Sequence, residues 1–387
     1  MTIRLALAGL GLCGLACAAA GVGDEGVAGS ESDSSESGAS SASEAESESS
    51  ATGSEGESGG SGSGSTASSD SESSDSESSG SDSGETGEPP IVEVTTLAYG
   101  ADPAQQLDLY LPSPASADPL PVLVLAHGGL WQSGDRSALA NLCTQVVLGS
   151  KGAQACASID YRLSQELGGT CAGGGPDTYE GQLADFAAAF ARLQVDADMY
   201  GLDPARMFVG GHSAGGHLAQ VLNLRWSEFA APCNGDCPPA IAAIGIEGIY
   251  DIPAWNAYDQ SFWNGTFACA TRKAFGDAPG SPQACVDADF GLPCWHAGSA
   301  THLADHADEL GISPVGNALM IHSPGDDWVD IAEASTLAAA LDSAFPGIIA
   351  IVAIDGTCAA GNHNGLLDEA ALADCLIAFV DSDATAI

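Results

Sequence analysis

The sequence predicts an α/β domain: a doubly wound, mostly parallel sheet of about eight strands, with a small irregular insertion placed as a lid. Three observations predict it. Short apolar runs alternate with helix-like stretches from residue 91 to the C-terminus, the order of a parallel sheet covered by helices. Pro121-Val-Leu-Val-Leu-Ala126 is unbroken apolar sequence, the mark of a strand buried on both faces. Gly211-His-Ser-Ala-Gly215 joins the apolar run Met207-Phe-Val209 to the helix-like Leu218-Ala-Gln-Val-Leu222. A strand that turns sharply into a helix holds the serine between its glycines exposed and strained. The helix N-terminus adds free N–H groups and a positive dipole end beside it.

Not all 387 residues belong to that domain. Arg4 precedes an apolar stretch from Leu5 to Ala16, which is short for a bilayer span and suits an export signal over residues 1–17. Gly14-Leu-Ala-Cys17 resembles a bacterial lipoprotein cleavage box. Cys17 is therefore a candidate lipid anchor and the one route to a membrane, with plain secretion as the competing reading. Residues 18–88 read as a disordered tether. From position 24 they are almost entirely Ser, Gly, Glu and Asp, with 17 acidic residues and no Lys or Arg. Such a segment buries too little apolar surface to offset its ordering entropy. The catalytic domain is expected over 89–387, long enough for a full core.

Net charge is −43, of which the part after residue 88 carries −27. That excludes electrostatic binding of nucleic acid or anionic lipid. Ten cysteines follow Cys17, an even number that in an exported chain points to disulfides. Cys233 and Cys237 could staple one loop, Cys269, Cys285 and Cys294 share an irregular region, and Cys358 and Cys375 bracket the last loop and helix. Their spacing lacks the paired C-x-x-C of a zinc site, and neither a metal nor an organic cofactor is expected.

In chain order the strands are expected at Ile91–Leu97, Leu107–Leu111, Pro121–Ala126, Ala153–Ile159, Met207–Val209, Ile241–Ile246, Ala318–Ile321 and Ile348–Ile354. Helices are expected at Ser137–Leu148, Gly181–Asp198, after Ser213, and at Ile331–Leu341 and Leu366–Val380. Some fifty residues after Asp251, rich in Trp, Phe, Gly and Pro, read as irregular: either a lid or a small satellite core.

Ligands in such sheets bind outside the carboxyl ends of the strands. Ser213 lies there, and so do His127-Gly128-Gly129, the Asp326-Asp327 pair after Ile321, and His363 after the last strand. Serine needs a base, and His363 is the candidate, oriented by Asp326 with Asp327 as its rival. The order Ser213, Asp326, His363 is the α/β-hydrolase order. Backbone N–H groups of Gly128, Gly129 and Ala214 are the candidate oxyanion hole. Trp131 is the candidate substrate-binding residue, as a wall of the acyl pocket or else as core cover. His212, His217 and His322 read as packing groups.

His127-Gly-Gly-Leu-Trp-Gln-Ser-Gly-Asp135, Ile159-Asp-Tyr-Arg-Leu163, Gly201-Leu-Asp-Pro-Ala-Arg206, Gly211-His-Ser-Ala-Gly-Gly-His-Leu218 and Glu247-Gly-Ile-Tyr-Asp251 stand in this order. Together they resemble the α/β-hydrolase esterases of the hormone-sensitive-lipase-like group. The nearest branch holds acetylxylan and feruloyl esterases and kynurenine formamidases. The resemblance implies the α/β-hydrolase fold and a serine esterase acting on a small-molecule or carbohydrate-linked ester. It also selects Asp326 over Asp327, because the family's acid stands three residues before a valine, here Val329. Leu130 departs from the family's frequent third glycine.

Overall fold

The computed structural model describes residues 90–164, 171, 178–229, 238–281 and 284–387. The expected export signal, the Cys17 anchor, the tether and the Cys233/Cys237 staple lie outside them. The strands are β1 Ile91–Ala98, β2 Gln106–Ser113, β3 Leu120–Ala126, β4 Ala155–Ile159, β5 Leu202–His212, β6 Ala242–Ile246, β7 Asn317–Ile321 and β8 Ala350–Ala353. They form one sheet in the order β1-β2-β4-β3-β5-β6-β7-β8. β2 runs antiparallel to both its neighbours and every later pairing is parallel.

Side-chain alternation along the central strands divides the core into two layers. Val122 and Val124 of β3 point to one layer, with Leu183 and Phe186 of α1 (Tyr179–Val195), Leu218 and Val221 of α2 (Ala214–Leu224) and Leu337 of α5 (Ala332–Ala344). Leu123, Leu125 and Phe208 point to the other, against Leu142 and Val146 of a helix over Ala140–Gly149 and Leu372, Leu376 and Phe379 of α6 (Ala370–Asp381). Burying each such side chain contributes ~1.5–3 kcal/mol. The doubly wound architecture expected from the apolar runs is therefore present. Among the described residues no helix is long and apolar enough to cross a membrane.

The stretch after Asp251 differs from expectation. It holds α3 (Ile252–Phe262) and α4 (Ala268–Phe275), with short helical turns at Cys294–Ala297 and Ala300–Asp305. Asp251 caps the first of these by accepting from Ala254 N at 2.9 Å, and Pro253 occupies its first turn, where a missing N–H costs nothing. Among the described residues, four disulfides join Cys143 to Cys156, Cys171 to Cys269, Cys285 to Cys294 and Cys358 to Cys375. Two of them staple this insertion, and the last closes the loop that leads from β8 to α6.

Candidate active site

Ser213 stands between β5 and α2 with φ 53° and ψ −117°, a left-handed conformation that costs a non-glycine residue ~1–3 kcal/mol. The two glycines of the turn permit it. A Cβ on Gly211 would lie 2.5 Å from Ala126 O, and one on Gly215 would lie 2.0 Å from the same oxygen. Strand β3 thus passes too close for any side chain at either position. Ser213 N donates to Ile246 O at 2.8 Å, which ties the turn to the end of β6.

His363 is 3 % exposed, on the loop after β8. Its Nδ1 lies 3.0 Å from Oδ2 of Asp326 in a hydrogen bond. Asp327 reaches only the backbone N of His363, at 3.4 Å. Asp326 is itself held by three donors: Nε2 of His322 at 2.9 Å, Trp328 N at 2.7 Å and Val329 N at 3.1 Å. His322, read from sequence as packing, therefore fixes the carboxylate. Burial pushes the Asp326 carboxyl up, but bonds from His322 and His363 more than reverse this and hold it well below the usual carboxylate range. Burial likewise pushes the His363 imidazole down, and Asp326 and Glu247 overcome it, raising the ring to about 9. With Nδ1 engaged, Nε2 is the ring nitrogen available to a serine hydroxyl.

One cavity of about 340 Å³ brings Ser213, His212 and His363 together with Gly128, Gly129, Leu130, Phe267, Trp328 and Leu367. Gly128 comes so near the elbow that a Cβ there would sit 3.1 Å from Ser213 Cβ and 2.8 Å from His212 Nδ1. Gly129 has φ 117°, and Leu130 and Trp131 follow with φ 52° and 62°. Leu130 thus adopts a left-handed backbone of the kind glycine favours. Tyr161 steadies the loop, stacking on His127 at 4.3 Å and donating to His127 O at 2.8 Å. Phe267 and Trp328 continue as an aromatic stack onto His363, with centroids 5.5 Å and 5.4 Å apart.

Trp131 corrects the expectation of a pocket wall. It is 0 % exposed and is absent from the lining of this cavity. Its positive φ turns the side chain into the core, where Nε1 donates to His217 Nδ1 at 3.1 Å and the ring meets Phe275 edge-on at 4.9 Å. The aromatic wall comes instead from Phe267, on the insertion, and from Trp328. His212 Nε2 donates to His363 O at 2.7 Å.

Glu247 escaped sequence reasoning as a site residue. It follows β6, is 0 % exposed, and places Oε2 3.1 Å from His363 Nδ1 and 3.7 Å from His212 Nε2. A carboxylate one residue past an apolar strand, at the same sheet edge as Ser213 and Asp326, was the signal. Among the described residues, His212, Glu247 and His363 also form the group whose ligand atoms converge closely enough for a metal, within 4.8 Å. Two of the three are already engaged with the candidate triad.

Residues 107–257 match the BD-FAE family. That stretch includes Gly128, Gly129, Ser213 and Glu247 but ends before Asp326 and His363, which the fold alone brings in. Esterase LipC of Mycobacterium tuberculosis is 32 % identical over 156 residues, 40 % of this chain and 36 % of its own length. Kynurenine formamidase of Danio rerio is 31 % identical over 156 residues, 40 % of this chain and 45 % of its own. The chain thus spans less than half the length of these curated relatives. Among solved structures, a truncated carbohydrate esterase from gut microbiota superposes with TM-score 0.56 at 19 % identity, covering 77 % of this chain and 99 % of that one. Esterase B from Lactobacillus rhamnosis gives 0.57 at 18 %, covering 76 % and 87 %. At such identities these structures speak for the fold. Sheet order and elbow give this chain the α/β-hydrolase fold, and its residues 107–257 are similar to the BD-FAE family.

Proposed function

We propose that the chain is an exported serine hydrolase that cleaves carboxylic esters through an acyl-enzyme. The observation that carries this reading is the left-handed Ser213 sharing one cavity with His363, whose Nδ1 is hydrogen-bonded to Asp326 at 3.0 Å. In this mechanism Ser213 Oγ attacks the ester carbonyl carbon while His363 Nε2 takes the hydroxyl proton. Asp326 keeps the tautomer and meets the positive charge of the ring. The amides of Gly128, Gly129 and Ala214 receive the oxyanion. The tetrahedral intermediate collapses, the alcohol leaves with the Nε2 proton, and water repeats the cycle on the acyl-enzyme.

The cavity's aromatic and aliphatic wall supports a small acyl group on an aromatic or carbohydrate-linked alcohol. The disulfides among the described residues support an oxidising compartment, in keeping with the expected export signal and Cys17 anchor. The formamidase relative motivates a second reading, hydrolysis of an aryl formamide by the same residues. Turnover of nitrophenyl acetate, and its loss in Ser213→Ala, tests the reaction. A panel of acetylated xylan, feruloyl esters, triglycerides and N-formylkynurenine separates the substrates. Preference for the formamide would move the assignment to the second reading, and wild-type turnover in Ser213→Ala would remove both.

A further inference from the structure

We infer that Glu247 is a positioning residue for the candidate base: a second carboxylate on His363 Nδ1 that shares with Asp326 the orientation of the ring and the stabilisation of its positive charge. The inference rests on the serine-hydrolase reading and adds to it a residue outside the usual set of three.

The geometry singles Glu247 out. Its Oε2 stands 3.1 Å from the same ring nitrogen that Asp326 reaches at 3.0 Å. The side chain is fully buried, and among the described residues neither of its oxygens has a hydrogen-bond partner. A buried carboxylate without donors is costly and persists where a cation meets it. The group placed to do so is His363; His212 stands 3.7 Å away, but burial pushes its imidazole down, toward the neutral form. Its backbone is also held against preference, with φ 49° and its N–H donating to Ile321 O at 2.8 Å. Asp326, by contrast, is satisfied by His322 and by two backbone amides. Asp326 therefore fixes direction, and Glu247 contributes chiefly charge.

The groups facing His363 are Asp326 and Asp327 from the loop after β7, Glu247 from the end of β6 and His212 from the end of β5, with His322 behind Asp326. When Ser213 gives its proton to Nε2, the ring keeps its Nδ1 proton and becomes an imidazolium between two carboxylates. Neither carboxylate takes up a proton. When the leaving alkoxide takes the Nε2 proton, the ring is neutral again. In the resting enzyme the same pair favours the protonated ring, so the base form is populated at alkaline pH.

The test uses the full chain as wild type, Glu247→Gln, Asp326→Asn and the double variant. Two readouts are the pH profile of kcat/KM on nitrophenyl acetate and the NMR titration of the His363 imidazole, identified by its absence in His363→Gln. Glu247→Gln is expected to lower both the acidic limb and the NMR midpoint by about one pH unit or more. Asp326→Asn is expected to lose less than the ~10⁴-fold of a triad with a single acid, and the double variant to lose more than the product of the two singles. An unmoved His363 midpoint in Glu247→Gln overturns the inference, as does a double variant no worse than that product. Where Glu247→Gln does not fold by circular dichroism, Glu247→Asp takes its place, with a smaller downward movement expected and an unmoved midpoint again overturning it. Turnover surviving in Ser213→Ala would instead sink the serine-hydrolase reading, and the NMR midpoint would still decide the part played by Glu247.

Discussion

Replacing Gly128 with alanine adds one methyl group at the closest approach of the oxyanion loop to the elbow. That methyl would meet His212 Nδ1 at 2.8 Å, Ser213 Cβ at 3.1 Å and His212 O at 3.3 Å. Comfortable contact begins at ~3.5 Å, so something must move by roughly half an ångström. His212 has little freedom, because Nε2 is 2.7 Å from His363 O and the ring packs at 4.7 Å from that of His363. The remaining routes displace either the Gly128-Gly129 amides or Ser213. Misplacing one oxyanion donor costs ~2.7–4 kcal/mol of barrier, a fall of roughly 10²–10³ in kcat. Overpacking adds ~1–3 kcal/mol of instability, a few degrees in Tm. Steady-state kinetics on nitrophenyl acetate, run below the melting range of the variant, separate the two effects. A Gly128→Ala protein with wild-type kcat would refute the placement of the oxyanion hole at this loop.

Four further outcomes follow from the same geometry. Trp131→Phe removes the donor to His217 Nδ1 and should cost ~1–3 kcal/mol in denaturant titration. Substrate preference should stay unchanged, and a changed preference would return Trp131 to the pocket. With His363 raised to about 9, only about one molecule in a hundred carries the neutral base at pH 7, so kcat/KM should climb up to about pH 9; a limb centred near the ordinary histidine value of ~6.5 would contradict this. The stability that His363 contributes is present below ~6.5 and lost as pH rises through about 9, while that of the depressed Asp326 is present above ~3.9 and lost as pH falls. Replacing Cys358 and Cys375 by serine opens a crosslink of sequence separation 17 around His363. It should cost ~3 kcal/mol in thermal melts and lower kcat, and unaltered stability would contradict it.

The centre of the sheet was legible because β3, β4 and β6 are buried on both faces and so read as unbroken apolar runs. Ser213 was legible because its turn demands glycine on both sides, which leaves a pattern in the sequence. Asp326 and His363 were found as single residues after strand ends, and it is the sheet that brings them together across 150 residues from Ser213 to His363. Trp131 stayed open between pocket wall and core cover because an aromatic beside an oxyanion loop can turn either way, and the choice lies in a backbone φ that the sequence does not display. The helices after Asp251 were missed although Asp251 and Pro253 announce the first of them. Glu247 was read as part of a motif. Its approach to His363 needs the register of β6 beside β5 and β7 to be seen.

In the proposed reaction Ser213 is the nucleophile. Incubation with an alkyl fluorophosphonate followed by intact-mass and peptide analysis tests it directly. One covalent adduct per chain is expected, on the peptide containing Ser213, and none in Ser213→Ala. An adduct on another residue, or undiminished labelling of Ser213→Ala, would contradict it.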